Sequence, residues 1–218
     1  MSAHPVRRTI EVIQLSETVA ARLERAIVRF RVQSAHNLLD EAFGAVAPDV
    51  VARDLVLPLF EQLEHAGDDA VIRFAASLFE IRLLSQAGGW DRVDGPPVVL
   101  ACAPREERTL GLIALGLALA RRRCRIVYLG ATTPARNVLA AVAEHEGAPA
   151  VLSAEHDDLE AQERADLRTL RLGVIGGAAD ALAGRLEGTV VGIDGAAVAA
   201  EAQRRSSRRG DDASPPPG

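Results

Sequence analysis

Aromatic side chains are scarce. Phe, Trp and Tyr make up 3% of the 218 residues, with one Trp and one Tyr among them. A core without aromatics must be packed from Ala, Val, Leu and Ile, which favours helices and parallel sheet over an aromatic-rich β-sandwich. Lysine is absent, and all 25 basic residues are Arg. With Ala so abundant, this is read as coding bias rather than mechanism. The formal net charge is −5, which argues against direct nucleic-acid binding, because phosphate contact wants a basic face. There are two cysteines, Cys102 and Cys124, too few for a disulfide framework and without Cys-His metal spacing. No apolar run marks a signal peptide, and the longest, Leu110 to Ala120, is too short to span a bilayer. The expectation is a cytoplasmic protein with no membrane contact.

What is present falls into two textures. Residues 19–87 carry helical stripes. Val19, Leu23, Ile27 and Phe30 form the first, and Leu38, Leu39, Ala42 and Phe43 the second. Val50, Val51, Leu55, Leu59 and Leu63 follow Pro48, a favoured helix-start residue, and Pro58 should kink that helix. Val71, Phe74, Ala75, Leu78 and Ile81 make the fourth. Gly44 and Gly67 fall where connections are expected. The pattern predicts a four-helix bundle preceded by a leading segment, 1–18, whose Val6 to Leu15 stretch reads as either helix or extended chain. Residues 88–97, rich in Gly and Pro, read as a linker.

From 98 to 203 the pattern alternates. Val98 to Cys102, Arg125 to Leu129, Ala150 to Ser153, Leu172 to Ile175 and Thr189 to Gly192 are short apolar runs. Helical stretches lie over Thr109 to Arg122, Pro134 to Glu144 and Glu160 to Leu170, and from Ala196. Strands apolar on both faces, alternating with helices, mean a covered parallel sheet. The predicted fold class is α/β: a helical-bundle cap, then a flavodoxin-like doubly wound five-stranded parallel sheet. Ligands of such sheets bind beyond the strand carboxyl ends. The polar stretch 204–218 is expected to be a disordered tail.

The candidate residues lie at those strand ends. Ser153 can bond a ligand or simply cap its own turn. Gly176 and Gly177 allow close approach of a ligand or merely a tight strand-to-helix turn. They do not complete a Gly-x-Gly-x-x-Gly fingerprint. Glu155, His156, Asp157 and Asp158 form a polar cluster in which a His with carboxylates can do acid-base work or bind a metal, but which reads first as a solvated capping loop. Cys102, near the switch point, can react with a ligand but reads first as a buried small hydrophobe. Arg121 to Arg125 sit at a helix carboxyl end, where the helix dipole favours cations.

A helical bundle followed by such a sheet resembles the cobalamin-binding modules of methionine synthase, corrinoid methyl carriers and MerR-type regulators. The run Val98-Val99-Leu100-Ala101-Cys102-Ala103-Pro104, with Glu106, Thr109, Leu110 and Gly111, is similar to the regulator branch. The resemblance implies cofactor contacts at Pro104, Glu106, Arg108, Gly111, Gly130, Ser153, Gly176 and Gly177. It also implies departures. The family signature places a cobalt-ligating His two residues after an acidic one, and here Arg108 stands at that place. A guanidinium stays protonated and offers no lone pair. The Trp that covers the upper corrin face in the sensory branch falls on Leu63 or Glu64, and the Glu-His pair falls within Arg73-Phe74-Ala75. No metal site and no catalytic residue are expected.

The function implied is a non-catalytic regulatory or sensor module. It would hold cobalamin without a protein ligand, another tetrapyrrole, or nothing. Transcriptional control would require a separate DNA-binding regulator protein or self-association through the bundle. A corrinoid carrier for a methyltransferase and a ligand-free interaction protein are the alternatives.

Overall fold

The computed structural model describes residues 18–212, with side chains through 208. The leading segment, apart from Thr18, and the end of the tail lie outside the described residues. The chain divides into two compact units, Met1–Gln86 and Ala87–Gly218.

The first unit is helical: α1 (18–28), α2 (Val32–Ala45), α3 (Pro48–Val51), α4 (Leu57–Ala66) and α5 (Asp69–Gln86). A π-helical turn, Ala52–Val56, joins α3 to α4 without a break. It stands where Pro58 was expected to kink the helix. Proline has no N–H to bond the carbonyl four residues back and its ring crowds that carbonyl, so the wider turn relieves both problems. Gly67 caps α4 in the left-handed region at φ 77°. Asp68 then caps α5, accepting from the Ala70 and Val71 amides at 3.0 and 3.2 Å. Gly44, expected in a connection, lies inside α2. Leu23, Ile27, Leu39, Phe79 and Leu83 form the fully buried centre. Two expected core positions are outside it: Ile81 is 63% exposed and Phe30 is 50% exposed. Phe79 and Leu83 replace Ile81 on the inward face of α5.

The second unit is a five-stranded, all-parallel sheet in the order β2-β1-β3-β4-β5. Its strands are β1 (Pro97–Cys102), β2 (Arg125–Gly130), β3 (Ala150–Ser153), β4 (Leu172–Ile175) and β5 (Thr189–Val190). This is the flavodoxin-like order. Alternation assigns the faces. Val98, Leu100 and Cys102 turn to the side covered by α6 (Leu110–Arg121) and α10 (Ala196–Asp212). Val99, Ala101 and Ala103 turn to the side covered by α7 (Ala135–Glu144), α8 (Ala161–Leu167) and α9 (Ala179–Leu186). The α9 helix was missed by the sequence reading. The fifth strand is shorter than its apolar run suggests, and both its residues are exposed at the sheet edge.

Two boundaries move. The expected linker, 88–97, holds a 3-10 turn, Trp90–Arg92, and Trp90 packs into the α6 side of the sheet unit beside Tyr128. It can do so because Gly116 has no side chain; a Cβ there would collide with the indole. The expected disorder is also corrected for residues 204–212, because α10 continues through Asp212. Glu201 pairs with Arg204 and Arg205 at 2.8 and 2.9 Å, and Arg205 donates to the Gly147 carbonyl at 2.5 Å. Spacings of three and four residues place these charges on one helix face, and the tie to Gly147 anchors it. Among the described residues, no helix is long and apolar enough to cross a membrane.

Candidate functional site at the carboxyl edge of the sheet

All five strands point their carboxyl ends the same way, so the loops that follow them share one edge. The loop after β1 carries Pro104, Arg105, Glu106 and Arg108. Pro104 is buried, while Arg105 and Arg108 are exposed. Glu106 is only 8% exposed, and each of its carboxylate oxygens accepts a backbone amide: Oε1 from Arg108 at 2.8 Å and Oε2 from Glu155 at 2.7 Å. Its own carbonyl accepts from Thr132 at 2.7 Å. One residue thereby ties the loops after β1, β2 and β3 together. A buried carboxylate is tolerated because both oxygens are satisfied by charge-assisted bonds.

Glu155 repeats the device one strand over. Its Oε2 accepts from the Gly177 amide at 3.0 Å. Gly176 has φ 110°, and a Cβ on it would overlap the Ala154 carbonyl. A Cβ on Gly177 would stand 2.7 Å from Glu155 Oε2. The backbone itself therefore requires Gly176, whereas a side chain at Gly177 would meet only the movable end of Glu155, so the tight turn accounts for the first glycine and leaves the second open to either reading.

Arg105 closes the edge from the solvent side. Its guanidinium donates to both Glu163 oxygens, at 2.8 and 3.2 Å, and to the Asp158 carbonyl at 2.8 Å. The hydrogen bonds from Arg105 hold the Glu163 carboxyl below its usual range. Glu163 also accepts from the Glu160 amide, completing a capping box at the start of α8. The acidic cluster after β3 is thus divided among partners. Glu155 serves Gly177, Asp157 pairs with Arg185 and Arg164, Asp158 pairs with Arg105, and His156 is exposed. Among the described residues, no three His, Cys, Asp or Glu side chains converge as metal ligands.

The remaining candidates behave differently. Gly130 ends β2 at φ 85°, after a register shift against β1. Ser153 is 3% exposed, beside Cys102 and Ile175 in the sheet. It shares a face with Cys102, whose thiol is buried and directed to the Arg108 carbonyl at 3.4 Å. Gly111 is the second residue of α6, on the same side of the sheet. A Cβ added there would meet nothing within 4 Å. Nothing in the chain's own packing calls for glycine at this place. Burial pushes the Cys124 thiol up, which leaves it inert.

Arg105 and the tethering role of Glu155 were not anticipated. Arg105 belongs to no motif; its only signal is a lone cation followed, in the next loop but one, by an acidic run.

A helical bundle precedes a flavodoxin-like sheet whose loops gather over its carboxyl edge, an arrangement shared with a solved corrinoid protein. The structure is similar to the monomethylamine corrinoid protein of Methanosarcina barkeri, with a TM-score of 0.67 and 16% identity, over 87% of this chain and 99% of that one. It also matches the methanol:cobalamin methyltransferase complex of Methanosarcina barkeri (TM-score 0.40, 16% identity, 91% of this chain and 82% of that one). A cobalamin-binding protein of Desulfitobacterium hafniense matches with a TM-score of 0.38 and 13% identity, over 87% of this chain and 97% of that one. At these identities the likeness is one of fold. No protein-family model and no curated protein matches the sequence.

Proposed function

We propose that the protein is a non-catalytic regulatory module of corrinoid-carrier fold that does not ligate cobalt through its own side chains. The observation that supports this is the loop after β1. Arg108 offers no lone pair, and the Glu106 carboxylate, which would orient a ligating His, is committed to two backbone amides. The residues present do not fit a protein-ligated cobalt centre. They do leave room for part of a ligand beside α6, since a side chain at Gly111 would meet nothing within 4 Å. The ligand class is cobalamin held base-on, or another tetrapyrrole. The output passes through a partner, such as a DNA-binding regulator, or through self-association of the bundle.

The test is a titration of the full chain with hydroxocobalamin, followed by visible absorbance. The expected spectrum is that of base-on or aquo cobalamin, identical in wild type and His156→Ala. A protein-nitrogen ligand signature that disappears in His156→Ala overturns the reading, because His156 is the exposed imidazole of the neighbouring loop. That outcome supports the second reading, a corrinoid carrier for a methyltransferase, which the end-to-end match to the monomethylamine corrinoid protein favours.

A further inference from the structure

The helical unit contains a cavity that the function proposed above does not use. It lies where α1 turns into α2, measures about 350 Å³, and is lined by Arg22, Arg25, Arg29 and Arg31, with Ser34 and a single carboxylate, Glu41. Arg22, Arg25 and Arg29 recur at three and four residues, so they share one face of α1. The turn brings Arg31 to the same place. It is closed by Phe30 N–H to the Ile27 carbonyl at 2.9 Å and Arg31 N–H to the Ala26 carbonyl at 2.8 Å. Phe30 sits in the left-handed region at φ 51°, a position that favours glycine, and its ring is seated edge-on against Phe74 at 5.3 Å. The aromatic contact holds the turn that gathers the arginines.

Among the described residues the charge there is unbalanced. Arg22 reaches Glu41 at 3.6 Å, and among the described residues Arg25, Arg29 and Arg31 have no carboxylate partner. The contrast with Arg105, Arg185, Arg204 and Arg205, each paired with an acid, is plain. The 14-residue α2 adds its positive end: no side chain caps it and its first turn has no acidic residue. Four guanidinium forks and a helix amino terminus around one small hollow suit an anion with several oxygens on adjacent centres. A duplex is a poorer match, since the site is concave and the chain as a whole carries −5.

We propose that this cavity binds a compact polyphosphate, either the phosphate chain of a nucleotide or an inorganic one. The proposal is independent of the corrinoid reading. It is tested by calorimetric titration of the full chain with inorganic pyrophosphate, orthophosphate and ADP. One pyrophosphate is expected per chain, bound roughly tenfold or more tightly than orthophosphate, since a second charged group adds further charge-assisted bonds. Arg25→Ala and Arg29→Ala should each weaken it by about fivefold or more at unchanged melting temperature, both side chains being exposed. Arg92→Ala, in the other unit, should have no effect. ADP binding tighter than pyrophosphate identifies a nucleotide, and equal affinity an inorganic chain. The proposal is overturned by absence of pyrophosphate binding, by binding indifferent to Arg25 and Arg29, or by duplex DNA binding there that pyrophosphate does not displace.

Discussion

The two units handle charge in opposite ways. At the carboxyl edge of the sheet, Glu106 and Glu155 are turned inward and spent on backbone amides, while Arg105 locks the outer loop to Glu163. Around the α1–α2 turn, arginines crowd a hollow with one carboxylate among them. The first arrangement stabilises the chain without any ligand. The second leaves like charges together that the described residues do not neutralise. A region whose polar groups are internally satisfied is a frame, and a region whose charges are left unbalanced is waiting for a counter-charge.

The comparison breaks first at the frame. Gly176→Ala forces a side chain onto a left-handed backbone and into the Ala154 carbonyl, so a loss of about 3 kcal/mol is expected in equilibrium urea unfolding. A loss under about 1 kcal/mol would mean the turn can rearrange, which would reopen the ligand reading of Gly176. Glu106→Gln comes next. It keeps one acceptor but points an N–H₂ at a backbone N–H, for an expected cost of about 2 kcal/mol.

A smaller effect belongs to the rim. Glu163 and Glu201 are both held below the usual carboxyl range by arginine hydrogen bonds, from Arg105 and from Arg205 and Arg204 respectively. A lowered folded pKa contributes stability that is fully present above the unfolded value, 4.5, and is lost as pH falls through the folded one. Urea midpoints of wild type and Arg105→Ala should therefore differ at neutral pH and converge in acid, and the difference should shrink in high salt.

The gentlest substitution is Gly111→Ala. With open space above and a helical backbone, it should stabilise the chain by up to about 1 kcal/mol. If it also weakens hydroxocobalamin binding, the glycine is kept for ligand clearance.

Much of this fold is legible in the sequence. Five apolar runs separated by helical stretches suffice for a parallel sheet, because strands buried on both faces cannot show alternation. Val98 to Cys102 illustrates this, with successive residues buried on opposite sides. The exceptions have physical causes. Ile81 has the right spacing for the core, but α5 turns Phe79 and Leu83 inward instead, and one-dimensional spacing cannot choose between overlapping stripes. The tail reads as disordered by composition, yet Arg204 and Arg205 answer Glu201 within one turn. At the site, Arg108 and Glu106 are identifiable by motif, whereas the Glu155–Gly177 tie joins residues 22 apart and emerges only when β3 and β4 lie side by side.

The seating of Trp90 against Gly116 has an optical consequence. The chain has one tryptophan and one tyrosine, and their rings lie 5.4 Å apart in the same unit. Light absorbed by Tyr128 passes to the indole, so the emission of the whole protein comes from one corner of the sheet. The helical unit has neither chromophore. Fluorescence therefore follows melting of the sheet unit alone, while far-ultraviolet dichroism follows both. Whether the two signals coincide on heating is a direct measure of whether the units unfold as one.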